Sequence, residues 1–326
     1  MDLSVVTTLY RSASTIEEFH RRTSVSAWEV ADRYEIIYVN DGSPDDSLAQ
    51  ALRLREGDPH VRVVDLSRNF GHHYAITAGL AHASGDKVFL LDSDLEEDPE
   101  WLIPLNERLE ADDLDVVFGV QAARCGGVFK KLTGAAFYRL FNALSETTIP
   151  ANPCTARLMR REYVAALLTL RDRSLFLAGN CAWAGFRQGS IPVMKSASRR
   201  ASTYNLPRML ALFVDAVTSF SAYPLRLIFF LGLSISVLSG IFGVALVIRK
   251  LLGPGSVLLG YASLMASLWF LSGLLIFCIG IIGVYLGSIF KEVKDRPIYI
   301  VRRVYGTPEE AAEVGGRSNG TLPAAS

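Results

Sequence analysis

Two stretches of this chain carry no charge at all, Leu227 to Ile248 and Leu251 to Phe290, parted only by Arg249 and Lys250. A helix of about 20 apolar residues spans the hydrocarbon of a bilayer. The runs therefore predict a transmembrane hairpin, with helices over about 225–249 and 262–290 within a membrane region 225–290. Burying both as core helices of a soluble protein would demand a very large surrounding domain. Positive residues mark the flanks: Arg208 and Arg226 before the hairpin, then Lys291, Lys294, Arg296, Arg302 and Arg303 after it. Such flanks stay in the cytoplasm. A multi-pass protein of the inner (cytoplasmic) membrane is expected, with both ends and the large preceding domain in the cytoplasm. Met1-Asp2-Leu3-Ser4 has no basic n-region, so no cleavable signal is expected.

Ahead of the hairpin the pattern changes to alternation. Leu3 to Thr8, Tyr34 to Val39, Val61 to Leu66, Lys87 to Leu91 and Leu114 to Gly119 read as strands. Between them lie helical stretches, one capped by Ser14-Thr15 and another running from Tyr74 to Ala83. The alternation argues for an α/β domain over 1–204, Rossmann-like, with a mostly parallel sheet and helices on both faces. Residues 205–224 are amphipathic and suit the membrane surface. Residues 291–326 form a cytoplasmic end whose tail after Gly306 has the composition of disorder. The 33 basic and 33 acidic residues cancel, so nucleic acid is not an expected partner. Cys125, Cys154, Cys181 and Cys278 show neither pairing nor metal spacing, as suits a reducing compartment.

The chemistry concentrates at the fourth strand. Val88-Phe89-Leu90-Leu91 delivers Asp92 and Asp94 to a strand's carboxyl end, where open α/β sheets bind ligands. Two carboxylates one residue apart can hold a hard divalent cation, which in turn neutralises a diphosphate. The plain alternative is an acidic turn before a helix begun by Pro99. No Gly-x-Gly-x-x-Gly follows the first strand and no Walker loop is present, so dinucleotide and P-loop sites are disfavoured.

Four segments taken together resemble one family: Tyr38-Val39-Asn40-Asp41-Gly42-Ser43, Ser67-Arg68-Asn69-Phe70-Gly71, Thr77 to Asp86, and Asp92-Ser93-Asp94-Leu95. Their order and spacing are similar to the family 2 glycosyltransferases of GT-A fold, and more narrowly to the polyprenyl-phosphate glycosyltransferases. Phe137-Tyr138-Arg139, Arg157-Leu158-Met159, Gly185-Phe186-Arg187, Pro224-Leu225-Arg226 and Arg296-Pro297-Ile298-Tyr299 extend the likeness across residues 3 to about 305. The resemblance implies a nucleotide-diphosphate sugar donor, a polyprenyl (undecaprenyl-type) phosphate acceptor and Mg2+ or Mn2+. By position it assigns Asp41 to the nucleobase, Asp92 to the ribose and diphosphate, and Asp94, with Asp92, to the metal. Tyr10, Arg68 and Arg124 join the donor side. Lys131, Arg139, Arg157 and Arg199 join the lipid phosphate, and Arg139 with Asp92 and Asp94 makes up the catalytic set.

The chain also departs from the family pattern. Thr8-Leu9-Tyr10-Arg11-Ser12 keeps only the tyrosine of the usual Pro-x-Tyr-Asn-Glu, and Asn40 and Glu96 stand where Asp and Gln are frequent. The Asp that often precedes Arg-Leu-Met is missing from Asn152-Pro153-Cys154-Thr155-Ala156. The acceptor explains why a base is dispensable: a phosphate monoester is already ionised at neutral pH and needs cations rather than proton removal. An inverting, single-displacement transfer for envelope or polysaccharide modification follows. Glu96 and Glu97 read best as an acidic first helical turn. His72-His73 has no third ligand nearby in sequence and suits a donor-pocket or packing role. Gly280, Gly283 and Gly287 suit close helix packing, within the hairpin or between subunits of a dimer or tetramer. Two alternatives stay open. A processive polysaccharide synthase would carry Gln-x-x-Arg-Trp and more spans, neither of which is found. A non-catalytic membrane scaffold is at odds with the retained Asp92 and Asp94.

Overall fold

A computed structural model describes residues 1–121, 152–170, 172, 176–196, 223–252 and 261–306. Arg124, Lys131, Arg139 and Arg199 lie outside the described residues, as does the amphipathic stretch. The described residues separate into two compact units, one built on a sheet and the other on two long helices.

Four strands appear where apolar runs predict them: β1 (Leu3–Leu9), β2 (Tyr34–Asn40), β3 (Val61–Leu66) and β4 (Lys87–Leu90). β1 pairs in parallel with both β2 and β4, and β2 with β3. Their residues are buried at nearly every position because both faces are covered. Leu3, Val5, Ile36, Tyr38 and Phe89 point to one core, against α1 (Ile16–Val30), α2 (Ser47–Gly57) and α4 (Leu102–Ala111). Val6, Ile37, Val39, Val88 and Leu90 point to the other, against α3 (His72–His82), α5 (Arg161–Thr169) and α6 (Leu177–Trp183). α3 lies close on the sheet because Gly79 has no Cβ; one built there would sit 2.4 Å from Val6 Cγ1.

The fifth predicted run, Leu114 to Gly119, also forms a strand, at Val116–Gln121; the rest of the sheet departs from the sequence expectation. β5 (Val116–Gln121), β6 (Pro153–Arg160), β7 (Gln188–Val193) and β8 (Val301–Tyr305) complete an eight-stranded order β7-β5-β6-β4-β1-β2-β3-β8. β6 runs antiparallel between β4 and β5, and β8 antiparallel beside β3. The sheet is thus mixed rather than mostly parallel. β6 ends directly in α5. β8 returns from beyond the apolar runs, and Tyr299, Val301 and Val304 add to the α3-side core.

In the second unit, α7 (Tyr223–Leu252) and α8 (Tyr261–Val293) lie where the charge-free runs place them and touch each other. Among the described residues one stretch, Phe270–Val293, is long and apolar enough to cross a membrane; Pro224–Ile235 is a shorter apolar helix. The two-span hairpin is therefore not established by the described residues.

Candidate active site

The ends of β1, β2, β3 and β4 meet at the carboxyl edge of the parallel half of the sheet. Leu91 N–H donates to Val6 O (3.2 Å) and Asp41 N–H to Leu9 O (3.1 Å), so the chain leaves both strands still in register with β1. Ser93 then turns inward. It is buried, and its hydroxyl sits 2.8 Å from Thr8 O and 3.0 Å from Ser12 Oγ, while its carbonyl accepts from Thr15 Oγ1 (2.8 Å). Asp92 and Asp94, on either side of that anchor, both keep partial exposure. The backbone reverses at Leu95, held in the left-handed region at φ 60°, and Asp94 Oδ1 accepts the Glu96 N–H at 3.0 Å. A leucine at positive φ costs roughly 1–2 kcal/mol, a strain of the kind that gathers at functional turns.

Three other segments converge on Asp92. His72, at the start of α3, has Nε2 3.3 Å from Asp92 Oδ1 and Nδ1 3.1 Å from Thr8 Oγ1. Thr155 on β6 hydrogen-bonds the Asp92 carboxylate, and Lys195, just past β7, contributes positive charge. Burial and then the neighbouring Asp94 charge push the Asp92 carboxyl up to about 6, against the pull of Lys195 and Thr155. The side chain still keeps 25% of its surface exposed, so its carboxylate is reachable from solvent. An acid whose affinity for a proton is raised by a neighbouring negative charge is poised to accept another cation.

Asp41 behaves differently. It is 2% exposed; Oδ1 accepts the Phe70 N–H (2.7 Å) and Oδ2 the Gly71 N–H (3.0 Å), and its carbonyl accepts from Asn69 Nδ2 (3.1 Å). Burial raises its pKa, while the two amides and the nearby His72 and Arg68 oppose the rise. Gly42 (φ 58°) lets the two loops meet, since a Cβ there would lie 2.4 Å from Asn69 N. Asp41 thus ties the 40–43 turn to the 67–71 segment. Arg68 is exposed, with its guanidinium 4.0 Å over the Phe70 ring and Nη1 2.9 Å from Asn69 O. Tyr10, 43% exposed, stands at the end of β1 with the Arg11 guanidinium 5.7 Å above its ring.

A family model for glycosyl transferase family 2 matches residues 4–168, which carry all of these loops. The chain belongs to glycosyl transferase family 2. The undecaprenyl-phosphate 4-deoxy-4-formamido-L-arabinose transferase of Klebsiella pneumoniae is 33% identical over 97% of this chain and 97% of its own. The SfII prophage-derived bactoprenol glucosyl transferase of Shigella flexneri is 34% identical over 94% of this chain and 100% of its own. A Mycobacterium tuberculosis protein, named among glycosyltransferases, is 45% identical over 94% of this chain and 89% of its own. Among solved structures, glucosyl-3-phosphoglycerate synthase from Mycobacterium tuberculosis with Mn2+, uridine diphosphate and phosphoglyceric acid aligns over 67% of this chain and 76% of that one (TM-score 0.47, 22% identity). The sheet described above is the GT-A domain of this family 2 glycosyltransferase.

The glycosyltransferase also holds a pair that sequence reasoning passed over. Glu97 is fully buried rather than part of an acidic helical turn; the helix begins only with Pro99. Its carboxylate accepts Thr155 N–H (3.0 Å) and Ala156 N–H (2.7 Å) and meets Lys195 Nζ at 2.7 Å. Burial raises the Glu97 pKa; burial lowers that of Lys195, but the Glu97 charge outweighs it and the net shift is upward. The pair joins β6 to the segment after β7 and sets Lys195 beside Asp92. Arg157 is not brought to this edge. It is 5% exposed, and its guanidinium bonds Cys181 Sγ (2.6 Å), Thr155 O and Cys154 O in a small cavity lined by Phe118, Tyr163 and Gln188. Among the described residues no group of three or more His, Cys, Asp or Glu side chains forms a metal cage.

Proposed function

We propose that this glycosyltransferase moves a sugar from a nucleotide-diphosphate donor to polyprenyl phosphate at the cytoplasmic face of the membrane, in one inverting displacement. One observation carries the reading. Ser93 is fixed inward, and Asp92 and Asp94 on either side of it stay partly exposed at the tip of the central strand. Relatives named for undecaprenyl-phosphate and bactoprenol sugar transfer align over nearly the whole chain, long helices included.

The two carboxylates fit a divalent cation that is completed by substrate, since Mg2+ is commonly held by one or two carboxylates plus phosphate oxygens. Asp94 and Asp92 would hold it, and when bound it would neutralise charge on the departing diphosphate. His72 and Lys195 frame the carboxylates with positive or hydrogen-bonding groups. A further carboxylate at this edge, Glu97, is already engaged with two amides and a lysine. Its carboxylate is buried and taken up by three donors rather than offered as a base, which suits an acceptor that needs no proton removed. Arg124, Arg139, Lys131 and Arg199 complete the reading as ligands of the donor and lipid phosphates.

The sheet also supports the two-span topology. β1 and β8 belong to one sheet, one before and one after the long helices. A chain that begins and ends in one sheet crosses a bilayer an even number of times, so a span at Phe270–Val293 calls for a partner, and α7 supplies it.

The test is to incubate membranes holding the protein with labelled nucleotide sugars and short polyprenyl phosphate, with and without chelator. Label in the lipid extract that depends on a divalent ion is expected. Label only in polymer, or none with any donor, would refute the reading.

A further inference from the structure

The strand that follows the last long helix does more than cover the sheet edge. Ile300 O accepts the Ser67 N–H (2.9 Å), and Arg302 Nη2 donates to Ser67 O (2.7 Å), so the first residue of the 67–71 segment is gripped on both sides. The same guanidinium places Nη1 3.5 Å from Asp65 Oδ2. Asp65 is 2% exposed, and its other oxygen accepts from Asn40 Nδ2 at 2.8 Å. Asn40 Oδ1 in turn accepts the Ser43 N–H at 3.2 Å. Both loops that Asp41 ties together are therefore held at their roots by one arginine, directly for 67–71 and through Asp65 and Asn40 for 40–43.

We infer that Arg302 is a positioning residue for the donor side of the site, through which the segment leaving the membrane helix sets the loops around Asp41. The inference rests on the reading of 40–43 and 67–71 as donor loops. Arg302 is itself exposed and reaches neither Asp92 nor Asp94, so it acts through other residues. A guanidinium suits the task because its planar fork serves two acceptors at once, a carbonyl and a carboxylate; an ammonium on a flexible stem holds the two less well.

The test uses the full-length protein in membranes or proteoliposomes, comparing wild type, Arg302→Ala and Arg302→Lys. Arg302→Ala should raise the KM for the nucleotide sugar about 3- to 10-fold, the net worth of one ordinary hydrogen bond, as suits an exposed guanidinium. The kcat and the KM for short polyprenyl phosphate should stay within about twofold. Deuterium uptake should rise in peptides covering 40–43 and 67–71 and remain unchanged around α5, and Arg302→Lys should recover part of both effects. Unchanged uptake in the two loops would overturn the inference. So would a parallel loss of both KM values with a lowered melting point, which is plain destabilisation. If wild type transfers no sugar to lipid while Arg302→Ala still loosens the two loops, the clamp stands and the proposed reaction falls.

Discussion

Two turns at the same sheet edge put their aspartates to opposite uses. In the turn after β2, the Asp41 carboxylate is saturated by the Phe70 and Gly71 amides, and Asp45 beyond it is saturated too. In the turn after β4 the serine takes the structural bonds and the aspartates stay partly exposed, where burial and the Asp94 charge outweigh the help that Lys195 and Thr155 give Asp92. A carboxylate whose oxygens are already satisfied by amides is a fastener. One raised by a like charge suits the cation that the proposed reaction calls for. The comparison separates two acids that look alike in a motif, and it leads to opposite expectations for their removal.

The largest effect should come from the turn after β4. Asp94→Ala should lower lipid-linked transfer by at least about 100-fold, on the scale of losing one preorganised electrostatic stabiliser. Its melting temperature should stay close to that of wild type, since Asp94 accepts only one local amide. Asp92→Asn should also abolish transfer while leaving stability equal or slightly higher, because it removes the repulsion. Radiolabel transfer and thermal melting on the same preparations check both; near-normal transfer by Asp94→Ala would break the contrast.

Asp41→Ala should do the reverse, with stability lost first. Leaving the Phe70 and Gly71 amides without acceptors costs about 2–4 kcal/mol, and activity should fall only as the loops loosen. A melting temperature unchanged in Asp41→Ala would show that its bonds to 70 and 71 are dispensable, and would return Asp41 to a purely nucleobase-facing role.

How far this contrast was legible in the sequence depends on distance along the chain. The strands β1 to β4 stand out because they are short apolar runs ended by turn residues, and Asp92 and Asp94 follow the fourth directly. The partners that give these acids their character are remote. Lys195 meets Glu97 across the fold, and no local pattern at Glu96-Glu97 distinguishes a buried acid from an acidic helix start. Arg157 falls on the α3-side face of β6, whose antiparallel placement no alternation pattern announced, so its guanidinium enters the interior. β8 escaped because Val301-Arg302-Arg303-Val304-Tyr305 reads as a basic membrane flank. Its pairing to β3 is visible only once the sheet is assembled.

Ser93→Ala sharpens the comparison at smaller cost. The hydroxyl reaches Thr8 O and Ser12 Oγ, so its loss should cost about 1 kcal/mol. Transfer should fall about 10-fold, since the carboxylates lose the anchor that aims them. Rescue by Ser93→Thr, with the hydroxyl kept, is expected in the kcat rather than in donor KM. Equal transfer by Ser93→Ala and wild type would mean that the backbone alone directs the pair.

The smallest effect lies in acid. Burial works against the Asp45 carboxylate, but it accepts from the Ser43 and Ser47 hydroxyls and the Ala13 and Ser47 amides, and these hold it down at about 2 against an ordinary 3.8. A carboxyl more acidic in the folded than in the unfolded chain adds stability above its unfolded value and loses it as pH falls toward the folded one. The melting difference between wild type and Asp45→Asn should therefore be constant above about pH 5 and shrink between 3.8 and about 2. Asp92 has the opposite sign: its folded value of about 6 lies above the ordinary 3.8, so protonation favours the metal-free folded state as pH falls through 6. With chelator present, the difference between wild type and Asp92→Asn should narrow over that higher interval. Two pH windows of opposite sign, from two acids on one sheet edge, would be hard to produce if both turns served the same end. A single shared window would show that the saturated and the partly exposed aspartates are held alike.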